Sequence, residues 1–286
     1  MQAIAAQLQQ GDKEMLPTMK IRDLEITRLI VGSNPFTAKS HLDAATDADM
    51  KEYFTEERAF AMLKRCEEAG INAMQSRGSM PVMGLLWRYR QQGGKLLWLA
   101  QSGKSLITFD EELDEMMKYE PSAVCIHGEL ADDLYMSGNL DKLGGLLDKI
   151  RQKNVPCGIC AHFPEVLAYA EEKGLKPDYY MASLYNLSQP DRSHDVNPDG
   201  ERFEESDIPK MYEVIRKLSA PTFALKILGA GRRCSTQEQV KNAFIEAFSS
   251  MKKGDGVLVG MFDKYIDQTA LNAQYTKQAI DIAEKK

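Results

Sequence analysis

The sequence lacks the features that mark membrane-spanning, nucleic-acid-binding or disordered proteins. Hydrophobic residues make up 43% of the chain and charged residues 27%, which is ordinary for a globular protein with a large core and favours neither a membrane span nor disorder. The net charge of −6 is spread along the chain, so no basic field would attract nucleic acid or anionic lipid. We therefore expect a small-molecule partner, and the sequence does not indicate an oligomeric state.

The sequence has few cysteines, and we expect no intact signal peptide at its amino end. Five cysteines cannot all pair within one chain, and a protein of this size needs no disulfides to stabilise its core. The first ten residues contain no basic region followed by an apolar run. We expect reduced thiols and a cytoplasmic location, with export as the alternative if a leader has been removed.

What the chain does contain is an alternation of apolar runs and amphipathic stretches, which predicts parallel strands covered by helices. The eight runs of strand length are residues 27–33, 71–75, 96–101, 123–129, 156–162, 179–186, 222–228 and 256–260. Helical spacing occurs between them, at residues 57–69, 141–153, 165–173, 208–218 and 236–252. Barrels of this kind commonly need roughly 250 residues. The 286 residues therefore predict a tail at 1–15 and one barrel domain at 16–286.

Short segments along the whole chain resemble the aldo/keto reductase superfamily. They are residues 17–21 (PTMKI), 28–32 (RLIVG), 69–72 (AGIN), 185–186 (YN) and 228–231 (LGAG), together with 160–167 (CAHFPEVL), which resembles an iron–sulfur-associated branch. The resemblance implies an α/β fold, a single (β/α)8 TIM barrel with its working site at the carboxyl ends of the strands.

The catalytic pattern of that family is largely absent. Reductases of this type use an aspartate after strand two, a tyrosine beyond it, a lysine ending strand three and a histidine ending strand four. Here Gln75 and Gln101 stand at the aspartate and lysine positions, residues 76–81 contain no tyrosine, and only His127 remains. A glutamine cannot relay a proton. With Asp263 where the family places basic or hydroxyl groups, NADP is possible but not favoured, and we expect NADPH to bind weakly.

Two histidines and a glutamate are the main candidates for catalysis. Alternate strand residues point inward, so His127 and Glu129 are predicted to share one side of strand four, as Cys160 and His162 do on strand five. His127, Glu129 and His162 would then converge on one pocket, either as an acid–base pair or as ligands of a divalent metal such as zinc, manganese or iron. Alternatively, each histidine only satisfies local hydrogen bonds.

Two further groups are predicted near the same end of the barrel. Lys226, placed inside strand seven, is a candidate base or Schiff-base lysine, or a structural residue paired with Glu129. Phosphate or cofactor binding would fall to Gly229, Gly231, Arg232 and Gly260, since barrels often hold phosphate after their last two strands. Alternatively, the glycines only allow close helix packing, and the arginine is exposed to solvent.

Neutral hydrogen-bonding groups at the strand ends suggest a hydroxylated ligand such as a sugar. The substrate-binding candidates are Asn34, Gln75, Arg77, Gln101, Ser183, Tyr185 and Asn186. The polar insertion at residues 188–207 is a candidate lid. Cys157 and Cys160 have redox-pair spacing, but their thiols would face opposite sides of a strand, so we interpret them as structural.

The leading hypothesis is an enzyme performing non-redox lyase, isomerase or hydrolase chemistry on a sugar-like or carbonyl substrate, through His/Glu acid–base or metal-assisted catalysis. One alternative is an NAD(P)H-dependent reductase whose proton donor is Tyr185 or a residue of the 188–207 insertion. Another is a barrel retained as a binding module without catalysis.

Overall fold

The computed structural model describes residues 15–103, 108–192 and 200–285, and these form a hairpin followed by a closed barrel. Strands β1 (Thr18–Ile21) and β2 (Leu24–Thr27) pair antiparallel. The barrel strands run parallel in chain order: β3 (Leu29–Gly32), β4 (Ala73–Arg77), β5 (Leu97–Gln101), β6 (Ala123–Ile126), β7 (Cys157–Ala161), β8 (Tyr179–Ser183), β9 (Thr222–Leu225) and β10 (Gly256–Gly260). The pairing of β10 with β3 closes the barrel and confirms the predicted fold class.

Helices alternate with the barrel strands and cover their outer face. They are α1 (Ala44–Tyr53), α2 (Glu56–Glu68), α3 (Met80–Gln91), α4 (Phe109–Met117), α5 (Gly128–Met136), α6 (Leu143–Arg151), α7 (Pro164–Glu172), α8 (Asp207–Ile215), α9 (Gln237–Ser250) and α10 (Gln268–Glu284). Across the described ranges, none of these helices combines the length and apolar character needed to cross a membrane.

The period-two alternation of each strand divides the core into two layers. Residues such as Trp98, Val124 and Ile159 pack between the barrel and the helices. Their neighbours Leu99, Ala123 and others fill the barrel interior. The same alternation carries past the strand ends, and this sets which side chains reach the mouth of the barrel.

Several predicted strands extend too far toward the carboxyl end. The run at 123–129 is a strand only as far as Ile126. His127 is the N-cap of α5, where its side chain accepts a hydrogen bond from the amide of Glu129. Residues 226–228 likewise follow the end of β9. The apolar pattern does not show where a strand's hydrogen bonds to its neighbours end, because a capping side chain can start a helix within the apolar run.

The hairpin closes the amino end of the barrel. Met19, Ile21 and Ile26 are buried with the barrel interior in one apolar cluster. A Cβ on Gly256 would lie 2.6 Å from Met19, so the hairpin packs directly on the backbone of β10. This end therefore offers no space for a ligand among the described residues.

Candidate active site

A cavity of about 440 Å³ lies at the carboxyl ends of the barrel strands. This volume is typical of small-molecule sites. Its lining contains ten of the residues predicted from the sequence: Asn34, Gln75, Arg77, Gln101, His127, Glu129, His162, Lys226, Gly231 and Gly260. The topology therefore brings most candidates together, because parallel strands end at one rim.

His162 is held by a buried carboxylate that the sequence did not reveal. Its Nδ1 lies 2.7 Å from Oδ2 of Asp132, whose side chain is fully buried on α5. The same carboxylate accepts the backbone amides of His162 and Phe163 and the hydroxyl of Ser188. With Nδ1–H donating to Asp132, Nε2 of His162 carries the free lone pair. This arrangement orients the imidazole as a proton acceptor.

Gly128 makes room for this ring. A Cβ at Gly128 would lie 2.9 Å from Cε1 of His162 and 3.0 Å from its Nδ1, closer than packed atoms allow. The missing side chain thus lets the imidazole lie against the start of α5. Asp132 was missed because residues up to 129 were predicted as strand, which hid the helix that presents it.

His127 has the complementary protonation pattern. Its Nδ1 accepts the amide of Glu129 at 3.1 Å, so the proton of the neutral ring lies on Nε2. Burial lowers the pKa of His127 to about 3, and the charges of Arg77, Lys226 and Lys39, with His162, add to that effect. His127 is therefore a neutral hydrogen-bond donor near pH 7, whereas the hydrogen bond to Asp132 leaves Nε2 of His162 facing away from the carboxylate.

Glu129 does not lie on the strand with His127 as expected. It is in the first turn of α5, with 52% of its side chain exposed, and its Oε2 lies 3.9 Å from Nδ1 of His127. It lines the cavity from the rim. The helix that begins at His127 turns the residue away from the strand direction, so the predicted shared strand face is wrong for Glu129.

The same three residues do not form a metal-ligand set. Across the described residues, no three His, Cys, Asp or Glu side chains are grouped closely enough to hold an ion. Nδ1 of His127 is occupied by an amide hydrogen bond and Nδ1 of His162 by Asp132. For His127 this leaves a protonated Nε2, which is the wrong tautomer for ligation through that atom.

Gln75 and Gln101 contact each other at the floor of the cavity. Nε2 of Gln75 donates to Oε1 of Gln101 at 2.6 Å, and both side chains are buried. These two positions, occupied by aspartate and lysine in the reductases that the sequence resembles, therefore form a neutral amide pair. The pair can donate or accept hydrogen bonds, but it supplies no ionisable group.

Lys226 lies one residue beyond β9 rather than inside it, in a left-handed conformation with φ of 63°. It lines the cavity. Burial lowers its pKa, against the partial compensation of Glu201, Cys160 and Glu129. The alternative of a salt bridge to Glu129 is not seen, because the described residues place no carboxylate within 4.0 Å of the Lys226 amine.

The glycine loop after β9 does not present its amides to a phosphate. The amides of Gly229, Gly231 and Arg232 donate to carbonyls of the same turn. The guanidinium of Arg232 donates to the carbonyls of His41 and Glu201 and lies 3.9 Å from the ring of Phe203. These contacts hold the loop in the cavity wall. Amides that already close a turn are unavailable to a ligand. Gly229 and Arg232 do not line the cavity.

Three predicted substrate-binding residues also lie outside the cavity lining. Ser183 donates to the carbonyl of Tyr185, and the amide of Asn186 donates to Asp207. The ring of Tyr185 packs against Phe203, and burial raises the pKa of its hydroxyl. These side chains support the loop after β8, and Tyr185 is not placed as a proton donor to the cavity.

A third histidine was missed by the sequence reasoning. His41 lines the cavity, with Nδ1 2.7 Å from Oε2 of Glu201 and Nε2 3.1 Å from the Asn34 amide. Burial raises the pKa of Glu201, but the hydrogen bond and charge of His41, together with Lys226 and Arg232, leave it below its usual range. Only long-range pairing identifies this contact, since 160 residues separate the two partners.

The insertion predicted as a lid is only partly described. Residues 193–199 lie outside the described chain, whereas its two ends contact the cavity rim through Ser188 and Glu201. Cys157 and Cys160 face opposite sides of β7, as predicted. Cys157 packs in the outer layer and Cys160 in the barrel interior, and neither forms a disulfide.

The lining of the cavity contains more basic than acidic side chains, although the chain is acidic overall. Its lining residues include the cations Lys39 and Arg77, the amine of Lys226, whose pKa burial lowers, and the single carboxylate of Glu129. The net charge of the whole chain is −6. A concave site concentrates the field of its lining residues, so this lining favours an anionic ligand more than the net charge of the chain would indicate.

The fold and this strand-end cavity define a (β/α)8 barrel with a potential small-molecule site. No protein-family model matches the sequence, and a search of curated proteins gives no match either. Among solved structures, an aldo-keto reductase, AKR11C1 from Bacillus halodurans, is 12% identical, with a TM-score of 0.59 over 94% of this chain and 96% of the other.

Two enzymes described as a synthase and a synthetase share the same fold, with sequence identities and TM-scores close to those of the reductase. A truncated 3-deoxy-D-arabino-heptulosonate 7-phosphate synthase from Thermotoga maritima is 12% identical, with a TM-score of 0.53 over 95% of this chain and 92% of the other. N-acetylneuraminic acid synthetase from Leptospira borgpetersenii serovar Hardjo-bovis is 10% identical, with a TM-score of 0.53 over 96% and 91%. These similarities establish the barrel alone, since one fold hosts many chemistries. The aldo/keto reductase relationship therefore stays a resemblance.

Proposed function

We propose that this protein is an enzyme that moves a proton on a small, anionic carbonyl compound, in lyase or isomerase chemistry without hydride transfer. The observation that carries the proposal is the pairing of two differently protonated histidines in one cavity. His162, oriented by Asp132, offers a lone pair, and neutral His127 offers a hydrogen-bond donor. General base catalysis needs a positioned proton acceptor, and a fixed donor stabilises the negative charge that develops on the carbonyl oxygen.

The role of each group follows from its hydrogen bonds. Nε2 of His162 would remove a proton next to the carbonyl group or from a hydroxyl. Nε2–H of His127 would donate a hydrogen bond to the carbonyl oxygen. This hydrogen bond would stabilise the negative charge that develops on that oxygen in the transition state. Lys39 and Arg77 would hold an anionic group of the substrate, and the Gln75–Gln101 amides would bind its hydroxyls.

The reductase alternative has less support in the geometry. Gln75 and Gln101 bond to each other, and Tyr185 lies outside the cavity lining. Neither feature favours hydride transfer coupled to a tyrosine proton. A fluorescence titration with NADPH tests it directly, and binding in the low micromolar range, about −8 kcal/mol, would favour the reductase.

Proton exchange in D₂O tests the proposed activity without knowledge of the natural substrate. The protein is incubated with matched ketones, dihydroxyacetone phosphate against dihydroxyacetone and pyruvate against acetone, and loss of the proton signal next to the carbonyl is followed by NMR. We expect faster exchange with at least one anionic ketone than with its neutral partner. Equal exchange in all four samples with and without folded protein would contradict the proposal.

A further inference from the structure

Among the described residues, the amine of Lys226 differs from three other buried or half-buried cations. Arg28 pairs with Glu284, and Arg192 pairs with Asp207. Lys252 is a close comparison, since its Nζ lies 2.9 Å from Asp255 and 3.0 Å from the Ile215 carbonyl. Within the described residues, the amine of Lys226 has neither a hydrogen-bond partner nor a carboxylate within 4.0 Å.

The side chain of Lys226 is half-buried in the cavity wall, and no described residue pairs with its amine. Buried ammonium groups are normally paired, because desolvation of an isolated charge is strongly unfavourable. The left-handed backbone at Lys226 adds strain, and the amide of Gly229 closes the turn by donating to its carbonyl at 2.8 Å. The chain thus keeps a strained lysine at the carboxyl end of a barrel strand, where this fold places its reactive groups.

We propose that Lys226 is a nucleophile that forms a Schiff base with the carbonyl carbon of an anionic aldehyde or ketone. This inference rests on the proposed function and names the group that would activate its substrate. The unpartnered amine lines the same cavity as His127 and His162, so one bound carbonyl compound can face all three.

The reaction balances without an oxidant or a reductant. The neutral amine adds to the carbonyl carbon and gives a carbinolamine. The carbinolamine hydroxyl then takes a proton and leaves as water, while the nitrogen lone pair forms the C=N bond of the iminium ion. That proton comes from solvent, because His127 is already neutral, and its Nε2–H would hydrogen-bond to the departing oxygen. The iminium withdraws electrons from the adjacent carbon, which makes proton removal by His162 easier.

The electrostatics agree with a reactive amine. Burial lowers the pKa of Lys226, so more of it is in the neutral, nucleophilic form near pH 7 than in an exposed lysine. Lys39 provides a comparison inside the same cavity, because it lines the cavity but is exposed. A site-specific reaction should therefore modify Lys226 and leave Lys39 unmodified.

Borohydride trapping tests the proposal. The full-length protein is incubated with dihydroxyacetone phosphate or pyruvate, reduced with sodium borohydride or cyanoborohydride, digested and analysed by mass spectrometry. We expect one secondary-amine adduct per chain, on Lys226, at least tenfold above any adduct on Lys39. Lys226→Met, which keeps a similar volume without an amine, should lose the adduct while circular dichroism shows an unchanged fold.

The outcomes separate this inference from the proposed function. Proton exchange that persists with no adduct on Lys226 would overturn the Schiff base and leave the histidine pair standing. An adduct on Lys226 with no proton exchange would support the nucleophile and count against His162 as the base. Equal modification of Lys39 and Lys226 would show general amine reactivity and overturn the proposal.

Discussion

The two ends of the barrel are built from the same eight strands but differ in what fills them. At the amino end, Ile21 and Ile26 of the hairpin are completely buried against the barrel interior. At the carboxyl end, histidines, cations and amides surround an open cavity. The comparison indicates that stability resides mainly at the closed end and chemistry at the open one, as expected for this fold. Each prediction below tests that division.

The largest effect on stability should come from the closed end. Ile26→Ala removes a fully buried side chain from the hairpin that closes the amino end, so we expect a loss of about 2–5 kcal/mol in the free energy of unfolding. Ile26→Val, the matched smaller change, should cost about 0.5–1.5 kcal/mol. Urea denaturation measures both. Proton exchange at 25 °C should be unchanged, and a parallel fall in exchange rate would show that the two ends are coupled.

The open end should show the reverse pattern. His162→Asn keeps a donor near the Nδ1 position for Asp132 but removes Nε2, so proton exchange should fall about a hundredfold, or about 2.7 kcal/mol in barrier height. Thermal unfolding checks that the fold is retained. A variant that exchanges protons at the wild-type rate would remove His162 from the mechanism.

The buried histidine at the open end should also make stability depend on pH. The pKa of His127 is about 3 in the folded protein, against roughly 6.5 when unfolded. Its contribution is therefore complete above pH 6.5 and is lost as the pH falls, by about 1.4 kcal/mol per pH unit. Urea titrations at pH 7, 6 and 5 give the free energy of unfolding at each pH. This free energy should depend less steeply on pH in His127→Asn, which retains a capping side chain, than in the wild type. Equal slopes would contradict the buried neutral state.

The smallest effect should come from a residue at the open end that does not line the cavity. Thr236 caps α9, where its hydroxyl accepts the amide of Gln239. Thr236→Ala should cost about 1 kcal/mol in stability and leave proton exchange unaltered. If exchange also fell, the boundary of the site would have to include the loop after β9.

Much of the barrel was predictable because its signal is local. Each strand reads as an apolar run and each helix as a three- and four-residue spacing, so the eight parallel strands followed from the order of these patterns. The clustering of His127, His162 and Lys226 at one rim followed from the same topology. The strand ends were less predictable, since a single capping contact at His127 decides where β6 gives way to α5.

The sequence by itself determined the fold class and the rim at which the polar residues gather, because periodicity is written into neighbouring positions. Only the tertiary structure decided what those residues can do. Asp132 selects the tautomer of His162, and the Glu129 amide selects that of His127. No residue in the described part of the chain pairs with the amine of Lys226, which lines the cavity. Protonation and reactivity depend on contacts and burial that arise between distant segments, and no local pattern encodes them.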